Sequence, residues 1–326
     1  MQTQTDHLLT FESDLHRPQT QSHTPIGTQS SQLYPILTPE ELRQFEQDGY
    51  LAVPAFCDAR EVAWLRTMLA RLFREHVGRE QGNQFDMLGL DEKAAGARQP
   101  QIIKPSLFAP ELLQTAYGIR ASMIARQLLG PDARFSFDHS ILKPAGSAAA
   151  TPWHQDEAHH PSRLLRYPQI SFWLALQDTS VENGCMRYVP GSQRGPLLSH
   201  RRVNDDPRIH AIECGTEQFD ESMAIATPVA AGSCIMHGCR TLHAALPNVS
   251  AQDRIAYVMA FTGPPLPAER SSRISMSPGR TANMQRRTRW LLRGGFLRAA
   301  ARRLSRALRA DPRALWLKLQ ALLRTH

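Results

Sequence analysis

Gln169-Ile170-Ser171-Phe172-Trp173-Leu174-Ala175-Leu176-Gln177 alternates so regularly that it decides the class of fold. Successive side chains of a strand point to opposite faces, so Gln169, Ser171, Trp173, Ala175 and Gln177 share one face and Ile170, Phe172, Leu174 and Leu176 the other. The second face needs a packed layer against it. The first mixes a tryptophan with small and polar side chains, as the wall of a cavity does. Arg254 to Phe261 repeats the pattern, with Arg254, Ala256, Val258 and Ala260 on one face and Ile255, Tyr257, Met259 and Phe261 on the other. Small residues beside the arginine leave room for a ligand.

Working outward, further short runs with Val, Ile, Phe and alternation follow one another between Pro, Gly and Asn. They are Arg134 to Leu142, Thr151 to Asp156, Cys185 to Val189, Ala224 to Val229, Ser233 to Met236 and Thr241 to Ala245, with Glu182-Asn183-Gly184 read as a hairpin turn. A helical block precedes them. Thr38-Pro39-Glu40-Glu41 is a capping box that opens a helix to about Asp48, Gly49 ends it, and Tyr50 to Val53 is a short strand. Asp58 with Glu61 opens a second helix to about Val77, with an apolar stripe of Trp64, Leu65, Met68, Leu69 and Leu72. Residues 78–100 read as a loop, and a third helix covers 110–129. The expected fold is mainly β with flanking helices, a double-stranded β-helix (jelly roll, cupin-like) with helices packed on one sheet. The domain is expected over residues 31–265, after a disordered leader at 1–30 and before a linker and basic amphipathic helical tail at 266–326.

Composition narrows the setting. A chain of 326 residues with 42% hydrophobic content builds a core, which excludes wholesale disorder. No apolar run is long enough to span a membrane and no secretory signal is seen, so a cytoplasmic protein is expected. Five cysteines without a CxxC pair fit neither a disulfide scaffold nor a thiolate zinc site, and Cys234 and Cys239 are read as small core residues. The net charge of +8 is uneven: residues 281–326 hold eleven Arg and Lys318 against Asp311 alone, a charge of +11 that leaves −3 for the rest. In this tail Asp311-Pro312 starts a helix in which Leu315, Leu319, Leu322 and Leu323 recur at helical spacing beside Trp316, after a segment dense in arginine. Residues 285–326 are therefore expected to meet an anionic membrane surface, placing the protein peripherally on the inner face of a membrane. A helix packed on the barrel with its charges solvated, a dimer interface, an acidic acyl carrier and nonspecific nucleic acid are the alternatives, and no specific nucleic acid is expected. Nothing in the sequence fixes an oligomeric state.

Trp153-His154-Gln155-Asp156 is the first chemical candidate, because residues i and i+2 of a strand can grip one cation together. Alone it is weak, since thirteen histidines meet an aspartate two residues on by chance, giving a surface His and a turn-capping Asp. The distant segment Gly232-Ser233-Cys234-Ile235-Met236-His237-Gly238-Cys239-Arg240-Thr241-Leu242-His243, followed by Arg254, changes the balance. Two histidines and one carboxylate on one face of a metal leave three adjacent positions open, the geometry of non-haem Fe(II) and oxygen chemistry. An arginine on a neighbouring strand offers a fork for the far carboxylate of a chelating co-substrate.

The chain resembles the phytanoyl-CoA dioxygenase family of Fe(II)- and 2-oxoglutarate-dependent oxygenases. The stretches that carry the resemblance run from Lys143-Pro144 and Trp153 to Asp156 through Phe172 to Asp178, Glu182 to Met186 and Val189-Pro190-Gly191-Ser192. Gly232 to His243, Pro247-Asn248, Ser250 and Arg254 complete them, and coverage runs from about residue 36 to 262. The resemblance implies His154, Asp156 and His243 as iron ligands and Arg254 as the partner of the 2-oxoglutarate C5 carboxylate. It implies Trp173 as a wall of the co-substrate pocket, with Lys104 and His139 as further co-substrate contacts. Many relatives carry a hydroxyl residue two positions after the distal histidine, where this chain has Ala245, so Ser250 or a water is expected to assist Arg254.

The implied activity is a hydroxylase with Fe(II) as cofactor and 2-oxoglutarate and O2 as co-substrates. It would oxidise an aliphatic carbon of a small-molecule, lipid-like or carrier-bound substrate and release succinate and CO2. Retention of Asp156 sets the chain apart from halogenases of this kind, which lack the carboxylate. A non-catalytic binding protein on the same fold remains an alternative, as does a metal-assisted hydrolase, which lacks a general base near the motif. His237 is the competing third ligand, but no partner strand then places an arginine at the matching distance. His159 and His160 read as solvated or substrate-facing, and Arg187 and Arg240 as surface charges. The polar stretches 79–101 and 193–222 are expected to cover the mouth of the site.

Overall fold

A computed structural model describes residues 37–90, 96–159, 165–267 and 281–292. The expected leader and the tail beyond Leu292, with its helix from Asp311, lie outside the described residues. The chain runs α1 (Pro39–Asp48), β1 (Tyr50–Val53), α2 (Ala59–Arg74), β2 (Gln84–Asp86), β3 (Pro100–Ile103), α3 (Ala116–Leu129), β4 (Arg134–Lys143) and β5 (Thr151–His154). It continues with β6 (Leu165–Arg166), β7 (Gln169–Ala175), β8 (Met186–Tyr188), β9 (Arg201–Arg202), β10 (Ile212–Glu213), β11 (Ile225–Thr227) and β12 (Cys234–Gly238). Then come β13 (His243–Ala245), β14 (Arg254–Thr262), β15 (Leu266–Pro267) and α4 (Ala282–Leu292).

Two antiparallel sheets organise the molecule. The larger has the order β1-β12-β7-β14-β4-β3-β2 and the smaller β11-β8-β13-β5. From β4 onward the main strands are dealt between the two sheets: β4, β7, β12 and β14 to the larger, β5, β8, β11 and β13 to the smaller. The alternation seen in β7 and β14 is the division between two cores. Ile170, Phe172, Leu174, Ile255, Tyr257, Met259 and Phe261 pack with the helices, joined by Leu65, Leu69 and Leu72 of α2. On the other face Trp173, Ala175, Ala256 and Val258 form a second cluster with Met186, Tyr188 and Ala245 of the smaller sheet.

The local signals act as chemistry requires. Thr38 and Glu41 cap each other's backbone N–H, and Gly49 ends α1 at φ 79°, where a Cβ would lie 2.4 Å from the Gln193 side chain. Asp58 caps α2, which stops at Arg74 rather than Val77.

Four sequence-based readings need correction. The stretch 78–100 is not simply a loop: it holds β2 and runs into β3, which extend the larger sheet beyond β4. Residues 110–114 are a separate 3-10 turn before α3, because Thr115 leaves the helical region and caps Gly118. Asn183-Gly184 is no hairpin, since β7 and β8 belong to different sheets. It is a self-contained turn, with the Asn183 side chain accepting from Ser180 N and donating to Asp178 O, that passes the chain from one sheet to the other. The expected strand through Asp156 ends at His154, and Asp156 opens a 3-10 turn.

Only the first part of the basic tail falls within the described residues. Thr281 is fully buried, Ala282 N donates to Arg208 O, and Gly82 faces the Asn283 carbonyl so closely that a Cβ there would sit 2.3 Å from it. The tail thus begins as a docked helix. No helix among the described residues is long and apolar enough to cross a membrane.

Candidate active site

The site forms where the two sheets face each other. His154 ends β5, and its register partner on β13 is His243, so the two rings lie side by side with centroids 4.2 Å apart. Each imidazole is aimed by a backbone carbonyl two residues back: His154 Nδ1 lies 2.8 Å from Pro152 O and His243 Nδ1 2.8 Å from Thr241 O. A carbonyl only accepts, so each Nδ1 carries the proton and each Nε2 presents its lone pair inward.

Asp156 reaches the same point by a turn. Gln155 anchors that turn, donating from its side chain to Arg240 O and accepting from Leu198 N, while its backbone N–H donates to His200 Nε2. Arg240 is no surface charge: its guanidinium grips Glu157 with contacts of 2.8 and 3.2 Å. Asp156 Oδ1 is left 3.7 Å from both Nε2 atoms, and the donor atoms of His154, Asp156 and His243 lie within 4.8 Å of one another. Burial lowers the pKa of both histidines, His243 the more strongly, so both rings are neutral and free to coordinate. Burial also works against the Asp156 carboxylate, but the His237 hydrogen bond and the surrounding imidazoles outweigh it and hold that carboxyl well below the usual range. A neutral–neutral–anionic donor set suits a divalent cation.

A cavity of about 380 Å³ runs from these three residues to Arg254. Arg254 is 1% exposed on β14 and lies over the Trp173 ring, 5.3 Å from its centroid. Its Nη2 donates to Gly184 O at 3.1 Å. Gly184 is obligatory, with φ +87° and a Cβ position 2.6 Å from Leu246 O. The Arg254 Nε and Nη1 and the Trp173 Nε1 are buried with no acceptor from the protein. Burial lowers the guanidinium pKa to about 10, which leaves it a cation at neutral pH. A buried cation with two unsatisfied donors, facing a metal-type donor set across a small cavity, calls for an anion that spans the gap.

The sequence profile of the family described as phytanoyl-CoA dioxygenase (PhyH) matches residues 45–256. The chain belongs to the phytanoyl-CoA dioxygenase family. An ectoine dioxygenase of Stutzerimonas stutzeri strain A1501 is 27% identical over 242 residues, covering 68% of this chain and 76% of its own. A phytanoyl-CoA dioxygenase of Arabidopsis thaliana is 24% identical over 262 residues, covering 68% and 87%. Among solved structures, EvdO2 from Micromonospora carbonacea var. aurantiaca, crystallised with 2-oxoglutarate, is 34% identical with a TM-score of 0.61, covering 72% of this chain and 94% of its own.

This member of the family uses Fe(II), 2-oxoglutarate and O2. The residues present fit those groups: three convergent donors with inward Nε2 lone pairs suit the metal, and the unsatisfied Arg254 and Trp173 N–H groups suit a carboxylate. Lys104 and His139, implied by resemblance, line the same cavity. His139 is held by Gln101, whose amide lies 3.1 Å from Nδ1, and burial lowers its pKa to about 4, so it is a neutral ring. Ser250 does not assist Arg254, because its hydroxyl turns into its own loop onto Asn248 Oδ1. Thr151, the register partner of Ala245, lines the cavity with its hydroxyl donating to Gln99 Oε1. His159 lines the cavity too, and His160 lies outside the described residues. Arg187, expected on the surface, pairs with Glu221 and stacks on Trp153 at 5.0 Å.

Sequence reasoning missed a buried lysine beside Arg254. Lys143, the register partner of Arg254, is fully buried and donates to Gln99 Oε1 and Ala149 O; Gln99 Oε1 also accepts from Thr151. Burial, helped by the charge of Arg254, lowers its pKa to about 6. Between that value and the unfolded value near ~10.4 the unfolded chain binds one more proton, so stability rises with pH across this window, by at most about 1.4 kcal/mol per pH unit. Urea unfolding at pH 7 and pH 9 should show wild type gaining stability relative to Lys143→Met over that interval. Equal slopes would contradict a neutral buried amine.

Proposed function

We propose that this protein is an Fe(II)- and 2-oxoglutarate-dependent hydroxylase acting on an aliphatic carbon of a small molecule, or of the reacting tip of a larger lipid-like or carrier-bound one. The observation that carries the reading is the pairing, across one cavity, of the His154, Asp156 and His243 donors with the unsatisfied guanidinium of Arg254. In this reading the three donors hold iron through one face, Arg254 takes the C5 carboxylate of 2-oxoglutarate, and Trp173 flanks the carbon chain. Bound iron supplies the activation of O2 that oxidises 2-oxoglutarate to succinate and CO2 and then the substrate carbon. The protein's part is orientation and exclusion of water. We further assign the two sheets to a double-stranded β-helix, in keeping with the way the strands from β4 to β14 are dealt between them.

The rest of the cavity speaks to the substrate. Its wall includes Gln101, Ile103, Phe137, His139 and His210, and among the described residues no acidic side chain apart from Asp156 lines it. Burial lowers the pKa of His210, like that of His139, to about 4. A wall of neutral imidazoles, an amide and apolar groups favours an uncharged or anionic substrate over a cation. The test is an untargeted metabolite and lipid comparison of a deletion strain with its parent, followed by purified enzyme under ¹⁸O2. A product carrying one labelled oxygen, with matched succinate, supports hydroxylation. Succinate formation with a desaturated or rearranged product would replace it with another oxidative outcome, and no succinate at all would favour a binding protein.

For residues 285–326 we retain the anionic membrane surface as partner, on the strength of the charge imbalance alone. Because α4 is docked, the informative truncation follows Leu292. Full-length protein should pellet with anionic vesicles at low salt and the truncated form should not.

A further inference from the structure

The two carboxylate oxygens of Asp156 keep different company. Oδ1 lies 3.7 Å from the Nε2 atoms of both His154 and His243. Oδ2 accepts from Ser171 Oγ at 2.9 Å and faces His237 Nε2 at 3.4 Å. Ser171 and His237 are register partners on β7 and β12, so they project side by side from one face of the larger sheet. His154 and His243 belong to the smaller sheet, and Asp156 to the turn that follows it. Both donors are buried, each 3% exposed.

The protonation of His237 follows from its neighbours. A carboxylate only accepts, so Nε2 carries the proton and Nδ1 is left to accept, and the Tyr188 hydroxyl stands 3.2 Å from it. Tyr188 is fully buried and stacked on Tyr50, with ring centroids 4.3 Å apart and planes 9° apart, so its hydroxyl is fixed. Both nitrogens of His237 are thereby engaged, and neither offers a lone pair to a cation. That accounts for a histidine so close to the donor set, its ring 4.4 Å from that of His243, standing outside the group of converging ligand atoms.

We propose that His237 and Ser171 are positioning residues that clamp Asp156 Oδ2, so that the carboxylate meets the metal through Oδ1 alone, with Tyr188 setting the tautomer of His237. The proposal rests on the iron reading above. A carboxylate free to rotate could present both oxygens and take up one of the positions that 2-oxoglutarate and O2 require. Groups behind a metal ligand that fix its orientation are worth roughly 10- to 100-fold in metal affinity or activity.

The test uses full-length metal-free protein with Co(II) alone as the probe, read by binding affinity and by the visible ligand-field spectrum. His237→Ala should weaken Co(II) about 10- to 100-fold and alter the spectrum, and added imidazole should restore both. Tyr188→Phe and Ser171→Ala each delete one oxygen and should shift the spectrum in the same direction, with smaller losses of affinity that imidazole does not repair. If His237→Ala fails to fold, these two carry the test. Affinity and spectrum unchanged in all the variants that fold would overturn the clamp. A loss in His237→Ala as complete as in His243→Ala would make His237 a ligand and overturn it equally. Wild-type protein that binds no Co(II) would bring down the iron reading, whereas a wild type that binds it and variants that match it would bring down the clamp alone.

Discussion

Alanine at His154, Asp156 or His243 is expected to abolish both iron retention and succinate formation. Each substitution removes one of three protein donors that converge within 4.8 Å, and two remaining donors with wide-open positions lose the metal to water and buffer. The loss should be roughly 100-fold or more in affinity, beyond what groups behind the ligands contribute. The three variants should not be identical. Asp156→Ala also strands the Ser171 hydroxyl and the His237 N–H without their acceptor, so it should be the least stable of the three on thermal unfolding. Iron content by elemental analysis and succinate by mass spectrometry decide the matter. Normal iron in His243→Ala, with loss in His237→Ala, would move the third ligand to β12.

Arg254→Ala should leave iron in place and remove the grip on 2-oxoglutarate. A charge-assisted hydrogen-bonded pair in a buried site is worth about 1.5 to 3 kcal/mol, which corresponds to a roughly 10- to 150-fold weaker co-substrate. Arg254→Lys should recover only part of this, because an ammonium cannot present the planar fork. Trp173→Ala, which removes a wall and one N–H but no charge, should have a smaller effect. An apparent KM for 2-oxoglutarate that does not move in Arg254→Ala would exclude this end of the cavity and turn attention to Lys104, which also lines it.

The two strands with the clearest alternation, β7 and β14, could be read completely because each separates an apolar core from a cavity. One face is uniformly large and the other carries Ser171, Trp173 and Arg254 among small residues. The donor residues were legible by type and spacing, but the path to Asp156 was not. The turn after His154 is held by Gln155 and by Arg240 from a distant segment, and no local propensity announces either. Strands β2 and β3 escaped for a different reason. Gln84, Asp86 and Gln101 are buried polar residues tied to backbone or to His139, so the stretch has no hydrophobic period to detect. The Asn183-Gly184 turn carried a true turn signal, but the step between sheets is set by pairings of β7 and β8 with strands far along the chain. His237 stands outside the converging donor set, and its contact with Asp156 depends on the register of β12 with β7, which the sequence does not encode locally.

That His154 and His243 meet as register partners has a bearing on how the enzyme comes into being. The two residues lie far apart in the chain, with β7, β8, β11 and β12 between them, and the smaller sheet that joins their strands also takes in β8 and β11. Contacts of such long range form late, because the cost of closing the loop must be met before the pairing rewards it. The nascent chain therefore holds no metal site that could nucleate its folding. Iron is therefore expected to enter a scaffold that has already folded. Protein synthesised in iron-starved cells should accumulate as a folded apoenzyme, and loading becomes a separate step of maturation governed by the supply of the metal.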